Sequence, residues 1–523
     1  MNTAVIRTLI KPGAYYDSVS LMLVARELAN FEGVKDAAVV MATEANKSIL
    51  AEAELLTDEV KSAVPNDLVI AVSAESAALA EAALGQVDRL LQPKGATAGP
   101  GEFQPRTMHS ALAAHPDANL AVISVAGRYA AGEAWEALQH GMHVLLFSDN
   151  VSLKDEIALK IYARDHGLLL MGSGAGTAIL NGVALGFANV LPHGPVGIVS
   201  AAGTGLQEVS SLIARQGVGI SQGIGVGGRD LNQEVGGIMM LEALKALQQD
   251  PASRVLVLIS KPPAEDVTQV ILRQVRESQK PTVICFLGGE IPAQAERSHV
   301  FPASTLDECA WLAVRAVQPS GRDIQDLLAT ELANLSKQAQ ALKPKFHANQ
   351  RYLRGLFSGG TLCYQAQVIW KDMLSSPVYS NAPLPGNPAL ADPAKSFQHS
   401  AVDLGEEEFM VGRLHPLIDN NLRIRRLLQE ARDPEVAVVM LDCVIGYGAH
   451  PDPAAELAPA IRQARQLAGG ELQVVVSVTG TEQDPQHLST QVAAFEAAGA
   501  IVCPSNAAAA RLSALLAADR EEG

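Results

Sequence analysis

The stretch GIVSAAGTGLQE, Gly197 to Glu208, carries an apolar strand-like run into a Gly-Thr-Gly turn and then into a helical pattern. Such a turn leaves the backbone N–H groups of Gly203, Thr204 and Gly205 at a helix start, where they lack intrahelical partners and the aligned peptide dipoles favour negative charge. Glu208 stands where a dinucleotide-binding G-x-G-x-x-G turn needs its third glycine, so the spacing points to a phosphate-sized anion rather than a nicotinamide or flavin. A tight strand-to-helix turn without a ligand is the structural alternative. A second stretch, FSGGTLCYQAQ from Phe357, repeats the plan with Ser358, Gly359 and Gly360 in the turn. Two such helix starts facing one another would make a doubly positive site for a phosphate or acyl phosphate.

Other residues carry chemistry at strand ends. Gly225, Gly227, Gly228, Arg229 and Asp230 form a loop that either approaches an anion by backbone, with the guanidinium as a clamp, or is locked by an Arg-Asp pair. Arg413, His415 and Asp419 lie in GRLHPLID; a His beside an Arg suits a phosphoryl or carboxylate group, and a structural turn is the alternative. The loop CVIGYGAHPDP, with Gly446 and Gly448, follows a buried strand at the sheet edge where ligand loops gather in open α/β folds. Lys261, in SKPPAE, also follows a strand, and reads otherwise as a solvated lysine.

These turns need strands and helices in alternation to hold them. Residues 1–92 read as a small α/β unit, and PKGATAGPGEFQPRT opens a linker over 93–117. From Asn119 the pattern restarts with continuously apolar strands, as in a parallel sheet covered on both faces. One unit spans 118–192, a doubly wound unit spans 193–320, a polar helix and a Pro/Lys stretch over 321–350 lead out, and a second doubly wound unit spans 351–520. In the last unit SPVYSNAPLPGNPALADPAKSF reads as a loop insertion rather than a strand.

At 523 residues the chain calls for several domains, and its net charge of −16 without a basic run argues against nucleic acid or an anionic membrane as partner. Cys285, Cys309, Cys363, Cys443 and Cys503 are scattered through apolar runs and read as buried small side chains, and no bound metal is expected. MNTAVIRTLIKPG has no signal-peptide core, and no apolar run is long enough to span a bilayer, so a cytoplasmic protein is expected.

The order of motifs resembles a known family. Asn119 to Val317 resembles the alpha subunit of succinyl-CoA synthetase, and Tyr352 to about Leu516 the C-terminal domain of its beta subunit. DSVSLM, FSDNVSLKDEIALK, SAAGTGLQE, GVGGRDL, EVGGIMMLEAL, SKPPAE, GRLHPLID and VTGTEQDP resemble the FdrA family of acyl-CoA-synthetase-like proteins. The resemblance implies a Rossmann-like CoA-binding-type domain at 118–192 and two flavodoxin-like synthetase domains with parallel sheets. It implies that Glu208 supports a phosphorylated histidine gripped by the two helix starts, and that Gly446 and Gly448 match a glycine pair of the beta subunit. Where the synthetases carry that histidine in a Gly-His-Ala-Gly loop, this chain reads AERSHVFPASTLDE, with His299 nearby and without the glycines. The Gly-Ser-x-Gly turn of the CoA domain has no counterpart before Asn119, and the nucleotide-binding grasp domain is missing, so nucleotide would come through a partner chain. The implied activity is NDP-forming acyl-CoA ligation with CoA as acceptor and a small acyl phosphate or carboxylate as substrate, in a homo-oligomer or with companion subunits. The resemblance offers two alternatives: a subunit of a carbamoyltransferase of oxamate type using carbamoyl phosphate, with Glu208, Arg413 and His415 as candidate catalytic groups in either reaction, and a non-catalytic subunit.

Overall fold

The computed structural model describes residues 5–14, 16, 18–43, 46–47, 50–51, 55–65, 67–92, 105, 107–125, 127–289, 299–320, 323–410 and 413–518. The Gly/Pro-rich part of the expected linker, 93–104, lies outside them. The chain separates into two units, one of 1–117 with 407–415, the other of 118–406 with 416–523.

In the first unit β1 (Val5–Lys11) and β2 (Val34–Met41) flank β3 (Leu68–Ala74) in an antiparallel sheet of order β1-β3-β2. The run LVIAVSA is apolar but for Ser73 because both faces of the central strand are covered. Leu68, Ile70, Val72 and Ala74 pack with Leu21, Val24 and Leu28 of α1 (Ser18–Ala29) and with Ala80 and Ala83 of α2 (Ala77–Leu84). Val69 and Ala71 point the other way, onto Val40, Leu50, Leu55 and Val60.

The second unit begins with a small parallel sheet, β4 (Leu120–Ile123), β5 (His143–Leu146) and β6 (Leu170–Met171), connected by α3 (Gly127–Gln139) and α4 (Leu153–Asp165). Next come β7 (Thr177–Leu180), β8 (Val183–Gly186), β9 (His193–Ser200), α5 (Gly203–Arg215), β10 (Ile220–Gly225), α6 (Ile238–Gln249), β11 (Val255–Ser260), α7 (Glu265–Val275), β12 (Thr282–Phe286), β13 (Val300–Pro302) and α8 (Leu306–Val317). Their strands form a seven-stranded sheet of order β13-β12-β11-β9-β10-β7-β8, in which β7 alone is reversed and pairs antiparallel with both β10 and β8. After α9 (Ile324–Leu342) follow β14 (Tyr352–Phe357), α10 (Gly360–Met373), β15 (Val378–Ser380), β16 (His399–Asp403), α11 (Asn421–Glu430), β17 (Val436–Val444), α12 (Pro453–Leu467), β18 (Gln473–Thr479), α13 (Leu488–Ala497), β19 (Ile501–Cys503) and α14 (Asn506–Ala517). These strands form an all-parallel sheet of order β15-β16-β14-β17-β18-β19. The expected mixed α/β architecture with parallel sheets is therefore present.

One core joins the two large sheets. The alanine-rich α14 is buried along nearly its whole length, because small side chains let it pass between packed elements. Trp370 of α10 is fully buried and its indole N–H donates to the Ala510 carbonyl at 3.0 Å. Arg511 of the same helix pairs with Asp307 of α8 and Glu331 of α9, each at 2.6 Å. So α9, expected as part of a connecting segment, is a packed helix whose Leu335 and Ala339 enter the core. The proline-rich insertion also departs from expectation: Val378–Ser380 pairs in parallel with His399–Ala401 as an edge strand. Val378 and Tyr379 favour a strand, but they stand between Pro377 on one side and Asn381 and Pro383 on the other, which confine the pairing to a few residues. Among the described residues, no helix is long and apolar enough to cross a membrane.

Candidate functional site

Helices α5 and α10 each start directly after a central parallel strand, at the carboxyl edge where ligands collect in open α/β sheets. No side chain caps either helix. The two starts touch. The Thr204 methyl and hydroxyl lie 3.0 Å from the point where a Cβ on Gly359 would stand, and the Thr361 methyl lies 3.0 Å from the same point on Gly205. Glycine at both positions permits that approach. Gly203 is exposed and Gly360 half-buried, so the open face of the junction is lined by the first N–H groups of both helices.

The two turns are not equivalent. The Ser358 N–H, the Ser358 hydroxyl and the Gly359 N–H donate to the Asp442 carboxylate at 2.7, 2.9 and 2.8 Å. Asp442 is wholly buried near the end of β17, and Arg423 faces it at 3.4 Å. Ser358 and Gly359, expected to hold a phosphate, thus hold an anion of the protein's own, and Gly360 is what that turn still offers. Among the described residues, no such internal anion binds Gly203, Thr204 or Gly205.

Glu208 does not face the junction. It is buried one turn into α5, where it accepts the Asn506 N–H at the start of α14 at 2.9 Å and the Thr479 hydroxyl. Burial pushes its carboxyl up from the usual range, against the opposing pull of Arg215 and these two bonds. The geometry makes Glu208 a cap for a distant helix.

A carboxylate that sequence reasoning missed lies at the junction. Asp403, the last residue of β16, is 2 % exposed. Its Oδ1 accepts the Gly405 N–H at 2.9 Å. Its Oδ2 lies 2.6 Å from the point where a Cβ on Gly360 would stand, and Lys261 Nζ lies 4.0 Å from that same point. Burial, with Glu406 and Asp442 nearby, raises Asp403 to about 7, while Lys261 pulls it down. Lys261 also stands 5.5 Å from the Tyr364 ring centroid. The available signal was positional: an acid closing the short run HSAVD ahead of a Leu-Gly turn.

The remaining candidates are dispersed. Arg229 is tied to Glu156 at 2.6 Å and to the Ser173 hydroxyl and Val151 carbonyl at 2.7 Å each, so its guanidinium locks the loop, though not through Asp230. Asp230 instead accepts from buried Lys160 and caps α6 through the Met239 and Met240 N–H groups. A Cβ at Gly227 would stand 2.6 Å from the Ser173 carbonyl, whereas Gly228 is exposed. Gly446 and Gly448, both at positive φ, admit the chain's own segment: their Cβ positions fall 2.6 Å from the Ala188 carbonyl and 2.9 Å from Phe187. Arg413 and His415 fall in 407–415, which groups with the first unit, while Asp419 belongs to the second and accepts the Asn421 N–H. His299 precedes β13, and its carbonyl accepts from Thr282 at the opening of β12. Because β9, β11, β12 and β13 run parallel, His299 stands at the sheet edge opposite to Gly203. All five cysteines are buried thiols.

Three family models match this chain: "AllF, heavy metal-associated domain" over 1–106, "CoA binding domain" over 193–288 and "CoA-ligase" over 356–516. The CoA-binding match thus falls on the seven-stranded sheet, not on 118–192. YahF of Escherichia coli (strain K12) is 42% identical over 506 residues, 96% of each chain. The alpha subunit of the ADP-forming succinate–CoA ligase of Methanothermobacter thermautotrophicus is 25% identical over 186 residues, 35% of this chain and 62% of that one. The SauD subunit of the ADP-forming sulfoacetate-CoA ligase of Bilophila wadsworthia is 25% identical over 193 residues, 35% of this chain and 63% of that one. The chain therefore spans less than two thirds of either ligase subunit. Its fold and matched segments define a protein of the acyl-CoA-synthetase-like class. Within that class it belongs to the FdrA-like family that includes YahF.

The metal in the first model's description finds neither thiolate nor imidazole ligands over the matched residues. Residues 1–106 contain no Cys and no His, the side chains that most often hold zinc and related metals. Among the described residues no cluster of three or more His, Cys, Asp or Glu is placed to hold a metal ion.

Proposed function

We propose that the protein carries out acyl-CoA synthetase chemistry of the NDP-forming kind, holding a small acyl phosphate where α5 and α10 begin. CoA thiol is the acceptor, and a companion chain brings the nucleotide. The observation that carries this reading is the contact of Thr204 with Gly359, which sets the uncapped starts of two helices, and Lys261 beside Gly360, around one open edge. Backbone N–H groups aimed at one anion, in partly dehydrated surroundings, stabilise charge that develops on a leaving phosphate.

Two placements favour a second reading. His299 stands at the opposite sheet edge and Glu208 is occupied with α14, so neither serves a phosphohistidine at the junction. An acyl phosphate used directly needs no such histidine. In that reading the donor is carbamoyl phosphate and the chain is one subunit of a carbamoyltransferase.

Thermal unfolding with CoA, carbamoyl phosphate or inorganic phosphate tests both. A ligand at about 100 times its dissociation constant adds roughly 2.7 kcal/mol. Stabilisation by CoA and phosphate supports the synthetase, and stabilisation by carbamoyl phosphate and phosphate without CoA supports the transferase. No response to phosphate or carbamoyl phosphate removes the anion site from both.

A further inference from the structure

We propose that Asp403 is the proton acceptor for the nucleophile that attacks the acyl phosphate, with its Oδ2 as the receiving atom; this rests on the acyl-phosphate reading above. Three buried carboxylates of this unit invite comparison. Asp442 is held by Ser358 and Gly359, and Glu208 by Thr479 and Asn506, so that both oxygens of each are occupied. Asp403 differs: Gly405 fixes Oδ1, while Oδ2 accepts no hydrogen bond from any described residue and lies against Gly360 at the open start of α10. Although the residue as a whole is buried, Oδ2 is not itself sealed off, so the carboxylate keeps one oxygen open at that edge, and a carboxylate so placed is a candidate for function.

The surroundings suit a base. Lys261 approaches from the end of β11, Asp442 from β17 with Arg423 of α11 against it, and Glu406 from the turn after β16, while α10 contributes Cys363 and Tyr364. The two acids and the burial make Asp403 a stronger base than a solvated carboxylate, and Lys261 keeps it from being wholly neutralised. Titration at about 7 places it near the pH at which a base is both ionised and able to hold a proton. In the step, the thiol or amine lone pair forms a bond to the carbonyl carbon. The nucleophile's proton passes to Asp403 Oδ2, and the C–O bond to phosphorus breaks with its electron pair leaving on inorganic phosphate. Lys261 and the N–H groups of α5 receive that phosphate, which takes the proton from Asp403 and departs as hydrogen phosphate, leaving Asp403 a carboxylate again.

The test uses the full chain and its Asp403→Asn variant. Calorimetric binding of inorganic phosphate near pH 7.5, in two buffers of different ionisation enthalpy, reads proton uptake. An anion settling beside Asp403 draws a proton onto it, so wild type shows uptake that Asp403→Asn lacks at similar affinity. With acetyl phosphate or carbamoyl phosphate and CoA, phosphate release falls about 100-fold or more in the variant and is partly restored in Asp403→Glu. Equal proton uptake in wild type and Asp403→Asn overturns the proposal while leaving the anion site standing, and so does undiminished phosphate release. If wild type binds no phosphate, the acyl-phosphate reading fails and takes this proposal with it. Where neither donor is turned over, proton uptake decides.

Discussion

The carboxylate of Glu208 accepts the main-chain N–H of Asn506 across 2.9 Å, joining a helix of the seven-stranded sheet to the start of a helix of the six-stranded one. An acid one turn into one helix thus caps another helix 298 residues later in the chain.

Glu208→Ala leaves the Asn506 N–H and the Thr479 hydroxyl buried without an acceptor, and should cost about 3 kcal/mol. Glu208→Gln keeps an acceptor for Asn506 and should cost about 1 kcal/mol. Chemical unfolding midpoints measure both. Phosphate binding should be the same in wild type and Glu208→Gln; a large loss there would return Glu208 to the site.

Asp403 makes stability depend on pH in a stated direction. Its folded value is raised from 3.8 to about 7, so its contribution is complete below about 4 and is lost as pH rises through 7. Relative to wild type, Asp403→Asn should therefore gain stability between pH 4 and 8, by about 4 kcal/mol at most. The difference between the two unfolding midpoints, followed across that range, isolates this group from the others. A constant difference would mean that Asp403 titrates normally.

Asp442 fills the N–H groups of Ser358 and Gly359. Asp442→Ser should free them for an external anion and tighten phosphate binding, by about 10-fold if one or two charge-assisted bonds form. The variant should also unfold more easily, because Arg423 loses a buried partner. Calorimetry with phosphate, set beside a melting curve, reads both effects. Unchanged phosphate affinity would place the anion elsewhere.

Lys160 is wholly buried between Glu156 and Asp230, each at 2.8 Å. Lys160→Ala should destabilise by about 3–5 kcal/mol, since two carboxylates lose their buried cation. Lys160→Ala with Glu156→Ala should cost less than the sum of the two single changes, which a double-mutant cycle would show. Additivity would mean that the pair is not coupled.

The strand-to-helix rhythm, the two glycine turns and the repetition of one plan were legible because each depends on neighbours in the chain. A β-branched run reads as a buried strand, and a glycine turn before an apolar helix reads as a helix start, wherever they stand. The edge strand at Val378–Ser380 and the packing of Ile324–Leu342 were not legible, because pairing and burial there depend on segments distant in sequence. The same holds within the site. Gly203 and Gly360 could be marked as helix starts from local spacing, but Asp442 stands 84 residues from Ser358, and Asp403 meets Gly360 across two adjacent parallel strands. Which turn keeps its N–H groups for a ligand, and which carboxylate keeps an open oxygen, follow from how the strand ends line up. Hydrogen-bond donors are satisfied by whatever lies within about 3 Å, and folding alone brings those partners there.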